Sequence, residues 1–138
     1  MTFHVQTDAR VFVLDDTEER LEWFRKHLPG VRTAKTAKAA LEILSAESFD
    51  LVFLDHDLSF MDAGFPDRQF DNGKEVARFL AIKKFSGKVV IHSKNDVGAE
   101  AMLKALPNAT RARFDEFEIV TEPRHQPPSL ARCAAGCS

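Results

Sequence analysis

Three short apolar runs, Val11-Phe12-Val13-Leu14, Leu51-Val52-Phe53-Leu54 and Val89-Val90-Ile91, constrain this chain more than any other feature. Each is continuous rather than alternating. Each therefore needs apolar cover on both faces, as strands of a parallel sheet between helices have. Stretches of helical period separate them. Thr17 or Asp16 is placed to cap a helix with Leu21, Phe24 and Leu28 on one face, stopped by Pro29-Gly30. Thr36 opens a second, with Ala37, Ala40, Leu41 and Leu44 inward. A third follows Asn72-Gly73 and turns Val76, Phe79 and Leu80 inward. A fourth runs from about Gly98 to Leu106, with Ala101, Met102 and Ala105 as its buried side, and Asn95 is a candidate cap for it. Weaker strand signals sit at Val31-Arg32-Thr33 and at Phe117-Glu118-Ile119-Val120. Strands alternating with helices predict right-handed βαβ units, hence an α/β doubly wound parallel sheet.

The 138 residues suit one domain with a real core. Nineteen Lys and Arg stand against 21 Asp and Glu, a formal charge of −2, which gives no generic nucleic-acid patch. No apolar run reaches the roughly 18 residues of a membrane span, and the start MTFHVQTDAR has no signal-peptide pattern. A cytoplasmic protein without a membrane partner is expected. Cys133 and Cys137 lie too close together, near the end, to staple a fold, and have too few partners for a zinc site. Pro123, Pro127 and Pro128 break any regular helix, so residues 1–122 read as the domain and 123–138 as a tail.

The informative residues are the polar ones that end the apolar runs. The first run ends in Asp15-Asp16, the second in Asp55-His56-Asp57, the third in His92-Ser93-Lys94-Asn95. In open α/β sheets ligands bind outside the carboxyl ends of the strands. If the first and second runs are neighbours, all these groups meet at one mouth. Two unit charges about 4 Å apart repel by roughly 4 kcal/mol at an effective dielectric of 20. Four such carboxylates therefore need a cation, a retained proton, or both, and their oxygens suit Mg2+ or Mn2+. Plainer roles stand beside these. Asp16 could cap a helix and Asp57 could face solvent. His56 could hydrogen-bond a neighbouring carboxylate, and His92 could be a satisfied core histidine. The segment 59–71, with Phe60, Met61, Phe65 and Phe70 among acids, could be a lid or a packed surface loop.

Leu14-Asp15-Asp16, then Val52-Phe53-Leu54-Asp55, then Ile91-His92-Ser93 resemble the receiver domain of two-component response regulators, over about residues 9–120. The resemblance implies a five-stranded sheet of order 2-1-3-4-5 with the last helix short or absent. It implies a divalent cation held by Asp15, Asp16 and Asp55, a phosphoryl acceptor at Asp55, and a phosphoryl sensor at Ser93. The sequence departs from that pattern. The lysine expected at the end of strand five is not found in Ile119-Val120-Thr121-Glu122-Pro123, where Glu122 stands. About a dozen extra residues follow the second run, and histidines flank the acceptor.

Asp55-His56-Asp57-Leu58, together with His92-Ser93-x-Asn95 followed by Gly98 and Met102, is similar to the cyclic-phosphate processing receiver-like family. That resemblance implies a metal-dependent phosphoesterase acting on a small-molecule or RNA-end cyclic phosphate. Asp15, Asp16, Asp55 and Asp57 would hold the metal, and His56 and His92, with Asp55, would do the catalytic work. Ser93, Lys94 and Asn95 would bind phosphate or ribose oxygens. Two other readings stay open: a stand-alone receiver phosphorylated on Asp55 that signals to a protein partner, and a receiver-like interaction module without turnover.

Overall fold

The three apolar runs are the central strands of a parallel sheet in the computed structural model of the chain, which describes residues 1–56 and 73–123. In chain order the elements are β1 (Thr2–Gln6), β2 (Val11–Leu14), α1 (Glu18–His27), β3 (Arg32–Ala34), α2 (Ala37–Ala46), β4 (Leu51–Leu54), α3 (Gly73–Lys83), β5 (Lys88–Ile91), α4 (Asp96–Ala105), β6 (Thr110–Arg111), a 3-10 turn at Phe114–Glu116, and β7 (Glu118–Glu122). The main sheet runs β3-β2-β4-β5-β6, all parallel, which is the expected 2-1-3-4-5 order of a receiver-like fold. Leu14, Leu54 and Ile91 stand level across β2, β4 and β5. The residues that follow them consequently leave the sheet side by side.

Period-two alternation divides the strands between two cores. Phe12, Leu14, Val52, Leu54 and Ile91 face Ala40, Leu44, Val76, Leu80 and Met102 of α2, α3 and α4. Val11, Val13, Leu51, Phe53 and Val90 face Leu21, Phe24 and Leu28 of α1, together with Phe3, Val5, Phe117 and Ile119. Thr36 caps α2, its Oγ1 accepting the Ala39 amide at 3.1 Å, and Asn95 caps α4, its Oδ1 accepting the Gly98 amide at 3.0 Å. On α4 the inward residues are Gly98, Ala99 and Met102, while Ala101 and Ala105 are only half-buried, so the buried face is rotated from the expected one.

The fifth strand corrects the sequence reading. A strand does form there, at Glu118–Glu122 rather than 117–120, but β7 pairs in parallel with β1 in a separate two-stranded sheet. The main sheet takes Thr110–Arg111 as its edge instead. The reason is local. Residues 118–122 bury Ile119 and expose their other side chains, a one-faced pattern that fits an outer layer rather than a strand covered on both sides. Phe3 and Val5 of β1 show the same alternation. The β1–β7 pair thus lies on the same sheet face as α1, and among the described residues no α-helix follows β6. The proposed tail beyond Pro123 and segment 59–71 lie outside the described residues.

Candidate functional site

Asp15, Asp55 and His92 each follow the last residue of a central strand, and each is held there by its backbone. The Asp15 amide donates to Ala34 O at 3.1 Å, the Asp55 amide to Leu14 O, and the His92 amide to Leu54 O, both at 3.0 Å. The ladder therefore continues one residue past each strand and fixes where the side chains leave it. All three side chains are buried, and one ligand atom from each lies within 4.8 Å of the others. His92 Nε2 is 2.8 Å from Asp15 Oδ2, and its ring sits among Phe24, Phe53 and Phe114, leaving Nδ1 with no hydrogen-bond partner.

Asp15 is braced from the helix side as well. The Thr17 amide donates to its Oδ1 at 2.8 Å, and Thr17, at the start of α1, makes no side-chain cap of its own. Asp15 thus takes over part of the capping expected of Thr17 or Asp16. Burial pushes its carboxyl up, but the hydrogen bond and charge of His92, the Thr17 amide and the Arg20 charge outweigh burial and leave it below the ordinary 3.8. Asp55 goes the other way. Burial, with the nearby Asp15 and Asp16 charges, raises it from 3.8 to about 6 against the opposing pull of His92 and Arg20. The two neighbouring carboxylates are thus displaced in opposite directions, Asp15 by its partners and Asp55 chiefly by burial.

A shallow cleft opens over this group, lined by Asp16, Thr17, Arg20, Asp55, Ser93, Lys94 and Asn95. Asp55 reaches the cleft, whereas Asp15 and His92 stand behind it. The donor set suits a divalent cation: carboxylate oxygens on adjacent strand ends match Mg2+ or Mn2+, whose charge would offset the burial that disfavours the Asp55 carboxylate. Asp55 and Asp16 would hold it from the cleft, with Asp15 beneath, and His92 is placed to orient Asp15 through its Nε2.

The other predicted residues are arranged as follows. Ser93 is buried at the cleft wall, and its Oγ accepts the Asn95 amide at 3.0 Å. Lys94 pairs with Asp115 at 3.3 Å on the exposed rim. Asn95 lines the cleft and caps α4. His56 donates its backbone amide to Asp55 Oδ1 at 2.9 Å. A side chain at Gly98 would overlap the His56 ring, and one at Gly73 would overlap the Asp55 carbonyl oxygen, so both glycines permit the close approach of α3 and α4 to this loop. Asp57 lies outside the described residues.

Three arginines were not foreseen. Arg20 Nη1 lies 3.5 Å from Asp15 Oδ2 and 3.7 Å from Asp55 Oδ2. Arg111 and Arg113 correct the expectation that no cation ends strand five, an expectation that rested on placing that strand at 117–120. Arg111 ends β6 and donates to Ser93 O through Nε at 3.2 Å and Nη2 at 2.9 Å, and both arginines bind Asp96.

A parallel sheet of this order with acidic carboxyl-terminal strand ends defines a receiver domain of the response-regulator type. Solved receivers share the fold. TrrA of Thermotoga maritima, crystallised with Mg2+ and BeF, is 22% identical over 92% of this chain and 96% of its own, with a TM-score of 0.55. A CheY-like receiver of Methanospirillum hungatei is 20% identical over 92% and 90%, with a TM-score of 0.58. A Burkholderia pseudomallei regulator with a phosphorylated aspartic acid and a calcium ion is 18% identical over 91% and 65%, also at 0.58. No curated protein matches the sequence. Within the receivers, the chain belongs to the cyclic-phosphate processing receiver domain family, whose profile matches residues 10–108. Among the described residues, no helix is long and apolar enough to cross a membrane.

Proposed function

We propose that this chain is a cation-dependent phosphoryl receiver with Asp55 as the acceptor. The observation that carries the reading is the placement of Asp55: at the cleft, against a second buried carboxylate, with Arg20 alongside. A bound divalent cation would neutralise charge on the phosphoryl oxygens. The protein supplies the remainder. An Asp55 carboxylate with a pKa of about 6 is largely ionised at neutral pH, so its oxygen can attack the phosphorus of a small phosphodonor. The bond to the donor's leaving group breaks, the leaving group departs with the electron pair, and an acyl phosphate forms. Solved relatives carrying BeF or a phosphorylated aspartate support this reading. Signalling to a protein partner would follow from it.

Hydrolysis of a cyclic phosphate is the second reading, favoured by the family match and by His92 lying against Asp15. It needs a base to activate water and an acid to protonate the departing alkoxide. His56 and His92 are the candidates, with Ser93, Lys94 and Asn95 as binding groups. His92 is fully buried, so it would act through Asp15 rather than on substrate directly.

One experiment separates the readings. The protein is incubated with Mg2+ or Mn2+ and a small phosphodonor, and in parallel with a panel of 2′,3′-cyclic and 1″,2″-cyclic phosphates. Gain of one phosphoryl group by intact mass, lost in Asp55→Asn, is the expected outcome. Turnover of a cyclic phosphate lost in His92→Ala supports the second reading instead. Neither result, with no metal binding, leaves an interaction module.

A further inference from the structure

We infer that Arg20, on α1, is the residue that contacts the phosphoryl group at this site, and that it stands in for the divalent cation when none is bound. The inference deepens the phosphoryl-receiver reading and rests on it. A negatively charged group arriving at Asp55 needs a positive side chain facing the cleft. Among the described residues four are nearby: Arg20, Lys94, Arg111 and Arg113.

Three of the four are engaged elsewhere. Arg111 spends its Nε and Nη2 on the Ser93 carbonyl and on Asp96. Arg113 holds both Asp96 oxygens, at 2.8 and 3.0 Å. Neither arginine lines the cleft. Lys94 does line it but is paired outward with Asp115 on the rim. Arg20 is placed differently. Its side chain is about one quarter exposed, it lines the cleft, and its guanidinium lies 5.4 Å from the Phe114 ring centroid. That ring is a shelf along which a planar cation can turn without losing its contact.

Its approaches to Asp15 and Asp55, 3.5 and 3.7 Å, are longer than good N–H···O hydrogen bonds. The guanidinium therefore balances the two carboxylates by charge while keeping donors for another acceptor. A planar fork of N–H groups matches the oxygens of a phosphoryl group, which a lysine at the same place would meet only as a point charge. A divalent cation and Arg20 also compete for the same two carboxylates. These two roles make opposite predictions for one substitution, which no purely structural role does.

The test uses the full chain with Arg20→Gln, Arg20→Lys and, for comparison, Arg113→Gln. Mn2+ affinity is read by electron paramagnetic resonance, and affinity for beryllofluoride with Mg2+ by 19F NMR. Arg20→Gln is expected to bind Mn2+ as tightly as wild type or several-fold more tightly, and beryllofluoride about tenfold more weakly. Arg20→Lys should fall between, and Arg113→Gln, which loses only an exposed pair with Asp96, should change neither by more than about twofold. Equal losses of Mn2+ and beryllofluoride binding in Arg20→Gln, or unchanged beryllofluoride binding, overturn the inference alone. A wild-type chain that binds Mn2+ but no beryllofluoride overturns the phosphoryl-receiver reading, and the inference with it.

Discussion

Replacing Asp55 by asparagine should stabilise the metal-free protein. The folded chain holds this carboxyl at about 6 against an ordinary 3.8, chiefly because burial disfavours its charge. At about 1.4 kcal/mol per pKa unit, the difference is worth roughly 3 kcal/mol. The sign follows from the direction. A folded-state pKa above the unfolded one gives stability that is fully present below about pH 4 and lost as pH rises through about 6. Asparagine keeps the oxygen that accepts the His56 amide and has no charge to lose. In chelator, Asp55→Asn should therefore exceed wild type by up to roughly 3 kcal/mol at pH 8 and match it near pH 4. Urea unfolding at both pH values, followed by the fluorescence of Trp23, the one tryptophan, measures this directly. Mg2+ should then reverse the order. The wild type gains about 4.1 kcal/mol at a thousandfold excess over its dissociation constant, and the variant gains almost nothing. A variant no more stable than wild type at pH 8, or equally stabilised at both pH values, would refute the idea of a carboxylate whose charge burial disfavours.

Other perturbations probe the parts that hold the site. Gly98→Ala should cost about 1 kcal/mol instead of yielding the similar gain usual in helices, because the new methyl overlaps the His56 ring. A displaced His56 proton resonance in NMR would accompany it, and an unshifted resonance with a stability gain would contradict that packing. Phe3→Ala should lose about 3–5 kcal/mol in thermal unfolding, since Phe3 is buried against Phe53 and Phe117; a loss under about 1 kcal/mol would show that β1 does not close that face. Asn95→Ala removes the α4 cap at the cleft wall and should cost about 1 kcal/mol in urea unfolding, with no cost expected if the Gly98 amide finds water instead.

The central strands and the acids at their ends were legible because burial on both faces forces a continuous apolar run, and a polar residue ends it abruptly. Asp15, Asp55 and His92 could be placed together from that alone, once the first and second runs were taken as neighbours. Thr36 and Asn95 declared themselves as caps by type and position. The fifth strand was misread because Thr110–Arg111 is a two-residue edge with little apolar content, while the Ile119 strand looked the better candidate. That one displacement also hid Arg111 at its end. The sequence does not decide whether His92 meets substrate or sits in the core, because its depth depends on the Phe24, Phe53 and Phe114 rings, which come from separate parts of the chain. Arg20 escaped notice because a charged residue on a helix is usually solvated, and nothing local shows that this one turns toward the carboxylates.

The pairing of β1 with β7 has a consequence for how the chain is made. Thr2 lies opposite Glu118 and Gln6 opposite Glu122, so this contact closes the longest loop in the structure. During synthesis, β1 leaves the ribosome before the other strands yet has no strand partner until residue 122 has followed it. Through that interval Phe3 and Val5, and the sheet face that includes Val13 and Phe53, keep apolar surface open to water. The βαβ units that carry the acidic cleft can form before then, because their contacts are closer in sequence. The cleft is assembled early, and the face that buries its supporting aromatic rings is sealed last.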